Sequence, residues 1–323
     1  MLVPVLLFVL GLICLIKGGD WFVDGAVGIA RRFHLPELLI GATVVSIGTT
    51  LPEVMVSATS ALGGHGEIAY GNAIGSVICN TALIAALTAT VRPGAVRRDT
   101  LRTPVIFFFA SAVIYAVVAY TTGFFSRAVG IGLLVIFVIY MVTTARQMTR
   151  NPELTDEAEE AEEGKQRTLL MEIVMLVVSA ALIALGARLL VDNGTLIAKA
   201  LGVPESVIAL TFVALGTSLP ELVTAITSLA KGHGSLSLGN IIGANVFNLV
   251  LVSGVSVTLA PFAVPQSAKL WGVNASLIFE IPVMLLVMSI LSLYALWKGR
   301  LSRMQGIILL AIYVVFCAVQ FTM

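Results

Sequence analysis

Ser46-Ile47-Gly48-Thr49-Thr50-Leu51-Pro52-Glu53 interrupts a long apolar run with a proline, two threonine hydroxyls and a carboxylate. A proline within a helix has no N–H to donate, and its ring crowds the carbonyl four residues back, here that of Gly48. It also biases Leu51 away from helical geometry. The stretch is therefore expected to leave the carbonyls around Ile47–Thr49 without helical partners, next to the oxygens of Thr49, Thr50 and Glu53. In hydrocarbon such groups must be satisfied within the protein or line a wet cavity. Oxygen donors of these kinds suit hard cations. A single proline in a membrane helix reads first as a simple kink, so Pro52 alone decides little.

A second copy removes that ambiguity. Ala214–Glu221 reads Ala-Leu-Gly-Thr-Ser-Leu-Pro-Glu, 168 residues later. The same offset, without a gap, superimposes Val23-Asp24 on Val191-Asp192, Pro36-Glu37 on Pro204-Glu205, and Gly64-His65-Gly66 on Gly232-His233-Gly234. It also superimposes Gly71-Asn72, Ile74-Gly75 and Asn80 on Gly239-Asn240, Ile242-Gly243 and Asn248. Between positions 43 and 80, 17 of 38 residues are identical to their counterparts. The matches include Pro, Asn, His and Glu, so shared hydrophobicity does not account for them.

The surrounding chain is that of a membrane protein. Of 323 residues, 58% are hydrophobic and 11% charged, and the mean hydropathy is +1.02. A soluble domain carries about 25% charged residues. The net charge of +1 gives no reason to expect nucleic acid as a partner; the partner is the bilayer. Cys14, Cys79 and Cys317 all fall in apolar runs and are expected as free thiols. The first charge is Lys17, so the N-terminal run lacks the basic start of a cleavable signal and reads as a retained span.

Runs of about 20 apolar residues or more predict ten membrane helices, near 2–30, 36–62, 67–91, 103–121, 126–147, 168–198, 204–230, 235–260, 272–296 and 303–321. Loops after odd-numbered helices hold 14 Lys and Arg residues and loops after even-numbered ones hold three, Arg127, Lys199 and Lys269. The positive-inside rule then turns both termini away from the cytoplasm. Residues 149–167 form the one clearly polar segment, with seven acidic residues, and read as a solvated cytoplasmic linker. The expected fold is an all-α membrane protein of ten transmembrane helices: a five-helix repeat at 1–148, the linker, and a second repeat at 168–323. Five is odd, so the second copy lies upside down relative to the first. Inverted repeats with interrupted helices are the plan of secondary transporters, with the site at the repeat interface.

Glu53 and Glu221, one from each repeat, would meet there as a site of charge −2. Left bare, such a site would be very costly; one divalent or several monovalent cations would neutralise it. Asn80 and Asn248 stand at matched positions beside them, and Ser76 shares a helix face with Asn80. Gly71 with Gly75, and Gly239 with Gly243, are spaced for close helix packing. Carbonyl, hydroxyl, amide and carboxylate oxygens suit Ca²⁺ and Na⁺. Neither motif holds His or Cys, which disfavours zinc or copper.

These paired motifs resemble the Ca²⁺/cation antiporter superfamily, and within it the prokaryotic sodium/calcium exchangers. Gly48–Glu53 and Gly216–Glu221 look like the two family signatures, and Gly71–Asn80 with Gly239–Asn248 like their partner segments. The resemblance spans both halves and implies a Na⁺-driven Ca²⁺ extruder of the inner membrane. Carried over by position, it implies that Glu53 and Glu221 are ligands shared by Ca²⁺ and Na⁺, and that the carbonyls of Thr49 and Thr217 help bind Ca²⁺. Hydroxyls of Thr50, Ser218 and Ser76, with carbonyls of Ser46 and Ala214, would complete flanking Na⁺ sites, and Asn80 and Asn248 would line the centre. No cofactor is implied; the transported ions are substrates, and one chain carries both halves of the site, so a monomer suffices. Two departures stand out. Ala244 replaces a frequent Ser, which bears on the Na⁺:Ca²⁺ stoichiometry, and Asn248 replaces the acid associated with K⁺ co-transport.

Two other readings remain at this level. A H⁺/Ca²⁺ antiporter would use the same two carboxyls to carry protons, and a cation channel would use the same repeat. An enzyme is not expected: His65 and His233 sit beside glycines in short loops and read as turn residues. Asp24, Asp192, Glu37 and Glu205 lie near helix ends, where capping or solvation accounts for them. Glu280 falls in the ninth span outside any motif.

Overall fold

The computed structural model of the chain describes residues 2–150, 168–201, 216–266 and 269–320. Ala214, Glu205, the N-terminal part of the expected seventh span and residues 151–167 of the acidic segment lie outside these. Among the described residues, nine helices are long and apolar enough to cross a membrane. In chain order the helices are α1 (Leu2–Arg32), α2 (Glu37–Leu62), α3 (Gly66–Val91), α4 (Arg98–Thr121), α5 (Arg127–Arg150), α6 (Leu169–Ala200), α7 (Leu219–Ala230), α8 (Gly234–Leu259), α9 (Ser276–Lys298) and α10 (Arg303–Gln320). The shorter α7 is the described part of the seventh run.

Contacts between loops fix the alternation of the spans. Between α4 and α5 the strand β1 (Phe124–Phe125) pairs with β2 (Phe262–Ala263), which lies between α8 and α9. At the other end Ala95, between α3 and α4, bridges Arg300, between α9 and α10. Loops after even-numbered helices thus meet at one end and loops after odd-numbered helices at the other. A hairpin, β3 (Lys269–Leu270) with β4 (Val273–Asn274), caps the α8–α9 connection.

α1 and α6, equivalent helices of the two repeats, pack antiparallel. A Cβ on Gly11 would stand 2.9 Å from Gly186 O, and one on Gly18 would stand 2.8 Å from Ile183. Gly25 lies farther along α1 against Leu176, farther back along α6. Small residues let two membrane helices approach closely, and dispersion then holds them. The pairing is direct evidence that the halves are inverted.

α2, α3, α7 and α8 form the centre. The most apolar window of α8 is 83% buried and that of α3 is 72%, against 17% for the peripheral α10. Two of these helices contain matched single π-helical stretches, Asn80–Ala85 in α3 and Asn248–Val252 in α8. A third, Gly41–Val45, precedes the proline motif of α2. Such insertions loosen the backbone ladder and recur at functional sites; the apolar pattern does not announce them.

Pro52 differs from expectation. The first copy runs as continuous α-helix from Ser46 to Leu62 with the proline inside it. The second copy turns at 216–218 and starts its helix at Leu219, with Pro220 in the first turn. Proline is tolerated in a first turn because its missing N–H has no intrahelical duty there. The same motif therefore has two backbone forms.

Candidate cation site

Glu53 and Glu221 are both fully buried, and Glu221 is close enough to act electrostatically on Glu53. Thr50, one turn before Glu53 on α2, reaches across the repeat interface and donates its hydroxyl to Glu221 Oε1 at 3.4 Å. Both carboxylate oxygens of Glu53 and Oε2 of Glu221 have no hydrogen-bond donor among the described residues. The ion pairs among the described residues include Arg32–Glu172, Arg188–Asp192, Lys231 with Asp20 and Asp24, and His233–Glu37, and none of these involves either carboxylate. A buried carboxylate without basic partner or donor calls for a cation.

The other predicted donors line the same centre. Asn80 and Asn248 are fully buried, and both polar atoms of each amide lack a partner among the described residues. Each stands at the first residue of its π-helical stretch. Ser218, 2% exposed, has no hydrogen-bond partner for its hydroxyl among the described residues; Ser76 is buried and Thr217 half-buried. Ala244 is fully buried and contributes no side-chain oxygen. Ala214 cannot be placed, being outside the described residues.

Asn240, not singled out beforehand as a site residue, organises one side of this centre. Its Oδ1 accepts from Thr49 Oγ1 at 3.1 Å and from Ser46 Oγ at 3.3 Å, and Ser46 Oγ also reaches Asn240 O at 2.9 Å. The hydroxyls of Ser46 and Thr49 are thus engaged with α8, and their carbonyls lie within the continuous helix, where Pro52 removes the donor of Gly48 O alone. Its repeat counterpart Asn72 does something else: Nδ2 donates to Ser57 Oγ at 2.8 Å and to Glu53 O at 3.4 Å, within its own half. Asn245 and Thr81 add a further polar contact across the repeats, 2.7 Å long, with both groups near Met288 Sδ. The repeat comparison pointed to Asn72 and Asn240 as a matched pair; Asn245 and Thr81 face Val77 and Leu249 in the alignment and carried no such signal.

The glycines behave asymmetrically. A Cβ on Gly239 would lie 2.0 Å from Leu38 O, one on Gly243 2.5 Å from Ala42 Cα, and one on Gly41 2.4 Å from Leu236 O. These three fix a tight crossing of α2 and α8. Gly71 and Gly75 were expected to pack likewise, but no described residue lies within 4 Å of a Cβ on either, and Gly71 is exposed. At the repeat offset Leu38 and Ala42, which meet Gly239 and Gly243, correspond to Ser206 and Leu210, and these lie outside the described residues. At the sealed end His233, the N-cap residue of α8, meets Glu37 Oε1 at 2.7 Å, so it is more than a turn residue. Lys231 holds Asp24 at 2.7 Å, and Arg188 lies 3.6 Å from Asp192. Glu280 is held by Ser276 Oγ at 2.7 Å and Gln320 Nε2 at 3.0 Å, apart from the central set. The three cysteines are free.

Comparison with known proteins agrees with this geometry. A family model described as sodium/calcium exchanger protein matches residues 3–146 and 171–322. The chain is 31% identical to the sodium/calcium exchanger MaX1 of Methanosarcina acetivorans over 98% of both chains. It is 36% identical to the inner membrane protein YrbG of Escherichia coli over 81% of both. Among solved structures it resembles the sodium-calcium exchanger NCX_Mj soaked with Na⁺ and Sr²⁺, with a TM-score of 0.82 and 32% identity over 98% of each chain. With both repeats matched and the twin acidic motifs at their interface, this chain belongs to the sodium/calcium exchanger family.

Proposed function

We propose that the chain exchanges Na⁺ for Ca²⁺ by alternating access, with both ions taking turns at one centre between the repeats. The observation that carries this reading is the pair Glu53 and Glu221: buried, mutually close, one from each half, and without a basic partner among the described residues. Ca²⁺ takes six to eight oxygens in flexible geometry. The two carboxylates, the carbonyls of Thr49 and Thr217 and the amide oxygens of Asn80 and Asn248 form a set of that kind. Na⁺ would use the same carboxylates with the hydroxyls of Thr50, Ser218 and Ser76 and the carbonyls of Ser46 and Ala214. Competition for shared ligands couples the two fluxes, because one ion must leave before the other binds.

Alternating access is supported by the inverted repeat and by the closure of one of its two crossings. The α2–α8 crossing at Gly41, Gly239 and Gly243 is sealed, whereas Gly71 on α3 is exposed. Exchange of these roles between the repeats would move the opening from one membrane face to the other. We place the sealed end, where Arg31, Arg32, Arg92, Lys231 and Arg303 gather, in the cytoplasm, with both termini opposite. The inner-membrane assignment of YrbG supports the same location for this chain. Asn248 supports K⁺-independent exchange, and the complete motif set in one chain supports a functional monomer. The test is ⁴⁵Ca²⁺ uptake into proteoliposomes loaded with Na⁺. Uptake should require the outward Na⁺ gradient and should saturate with Ca²⁺. Equal flux driven by a pH gradient without Na⁺ would replace this reading with proton antiport, and linear flux would indicate a channel.

A further inference from the structure

The C-terminal parts of α3 and α7 leave a cleft of about 440 Å³ between them, within the ~300–1,000 Å³ of ligand pockets. Ile84 and Leu87 line one wall, and Leu222, Ile226 and Leu229 the other. Arg92, at the end of α3, is the one charged residue among the lining. Leu87 is 38% and Ile226 56% exposed, at positions within apolar spans.

Arg92 closes the mouth: its Nη1 donates to Leu229 O at 2.9 Å. Two residues earlier, Thr90 O accepts Arg303 Nε at 2.9 Å. Both guanidiniums are thus held at the same end of the cleft by neutral carbonyls, and neither forms an ion pair among the described residues. A guanidinium anchored through one nitrogen keeps donors in a fixed fork that matches a phosphate. The cleft thus has an apolar shaft at hydrocarbon depth and a cationic rim at helix ends, where headgroups lie.

We propose that this cleft binds an anionic phospholipid, one acyl chain lying between α3 and α7 and the phosphate resting on Arg92 beside Arg303. Charge selects the headgroup: two uncompensated arginines favour a lipid with net negative charge over a zwitterionic one, by roughly fivefold for each contact. The site touches the transport centre through its walls. Leu222 follows Glu221 directly, and Ile84 lies one turn beyond Asn80 in the same π-helical stretch. A chain wedged there sets the separation of the two helices that carry those ligands. Lipid binding itself does not depend on which ions are exchanged.

The test is native mass spectrometry of the full chain in detergent, titrated separately with 1-palmitoyl-2-oleoyl phosphatidylglycerol and the matching phosphatidylcholine. Phosphatidylglycerol should bind the wild type more tightly. Arg92→Gln should lower its affinity about fivefold and so narrow its advantage over phosphatidylcholine, while Arg92→Lys should retain the preference. Ile226→Trp, which fills the cleft, should weaken both lipids together. Equal binding of both lipids to the wild type would mean an adventitious additive only. Phosphatidylglycerol affinity unchanged in both Arg92→Gln and Ile226→Trp would also overturn the proposal.

Discussion

Thr50 of the first repeat donates to Glu221 of the second at 3.4 Å. The bond crosses the repeat interface next to Glu53, and it joins the two motifs that the sequence places 168 residues apart. It also shows how the halves share one centre: the hydroxyl of one copy orients the carboxylate of the other. A hydrogen bond to a charged group contributes about 1.5–3 kcal/mol. Thr50→Val keeps the shape and removes the donor. Its apparent Ca²⁺ affinity in ⁴⁵Ca²⁺ flux should fall about tenfold or more, with the protein still folded.

The carboxylates themselves admit no neutral substitute. Glu53→Gln and Glu221→Gln should each reduce exchange by more than about a hundredfold, as expected when one charge of a buried ionic set is removed. Detergent gel filtration should show both variants intact. Normal flux in either one would take that residue out of the site.

Ion removal gives an independent readout. A ligand at a hundred times its dissociation constant stabilises the native state by about 2.7 kcal/mol. Adding Ca²⁺ to the chelated protein should therefore raise the melting temperature, and this rise should vanish in Glu53→Gln and in Glu221→Gln. An equal Ca²⁺-dependent rise in both variants would mean that the stabilising ion sits elsewhere.

The sealed crossing predicts a different sensitivity for equivalent glycines. Gly239→Ala pushes a methyl onto Leu38 O, and overpacking of this sort costs about 1–3 kcal/mol. Gly71→Ala should leave the melting temperature unchanged, because Gly71 is exposed. If the repeats exchange roles during transport, Gly71→Ala should nonetheless slow turnover, by crowding the crossing that forms in the opposite state. Wild-type turnover in that variant would show that Gly71 is not drawn into such a contact.

Ala244 bears on stoichiometry. Ala244→Ser restores an oxygen at a fully buried position of α8. The Na⁺ dependence of Ca²⁺ release should become steeper, or shift to lower Na⁺, if the added hydroxyl completes a Na⁺ site. An unchanged Na⁺ curve would show that this position lies outside the sodium ligands.

The sequence by itself determined the architecture and the chemical inventory. Apolar runs of membrane length must become helices, because hydrocarbon offers the backbone no other partner. An odd number of spans per repeat inverts the second copy by arithmetic alone. Repeated Glu, Asn, Thr and Ser at one offset named the donor set around Glu53 and Glu221, since polar residues survive at matched places in lipid only for a reason. Tertiary structure decided what a linear pattern cannot carry. Asn240 clamps Ser46 and Thr49 while Asn72 stays within its own half; Pro52 sits inside a helix while Pro220 opens one; Gly239 is pressed against Leu38 while Gly71 meets no described residue. Nearly identical motifs take different roles because each packs against a different partner in a given state, and the choice of partner is made by the whole fold.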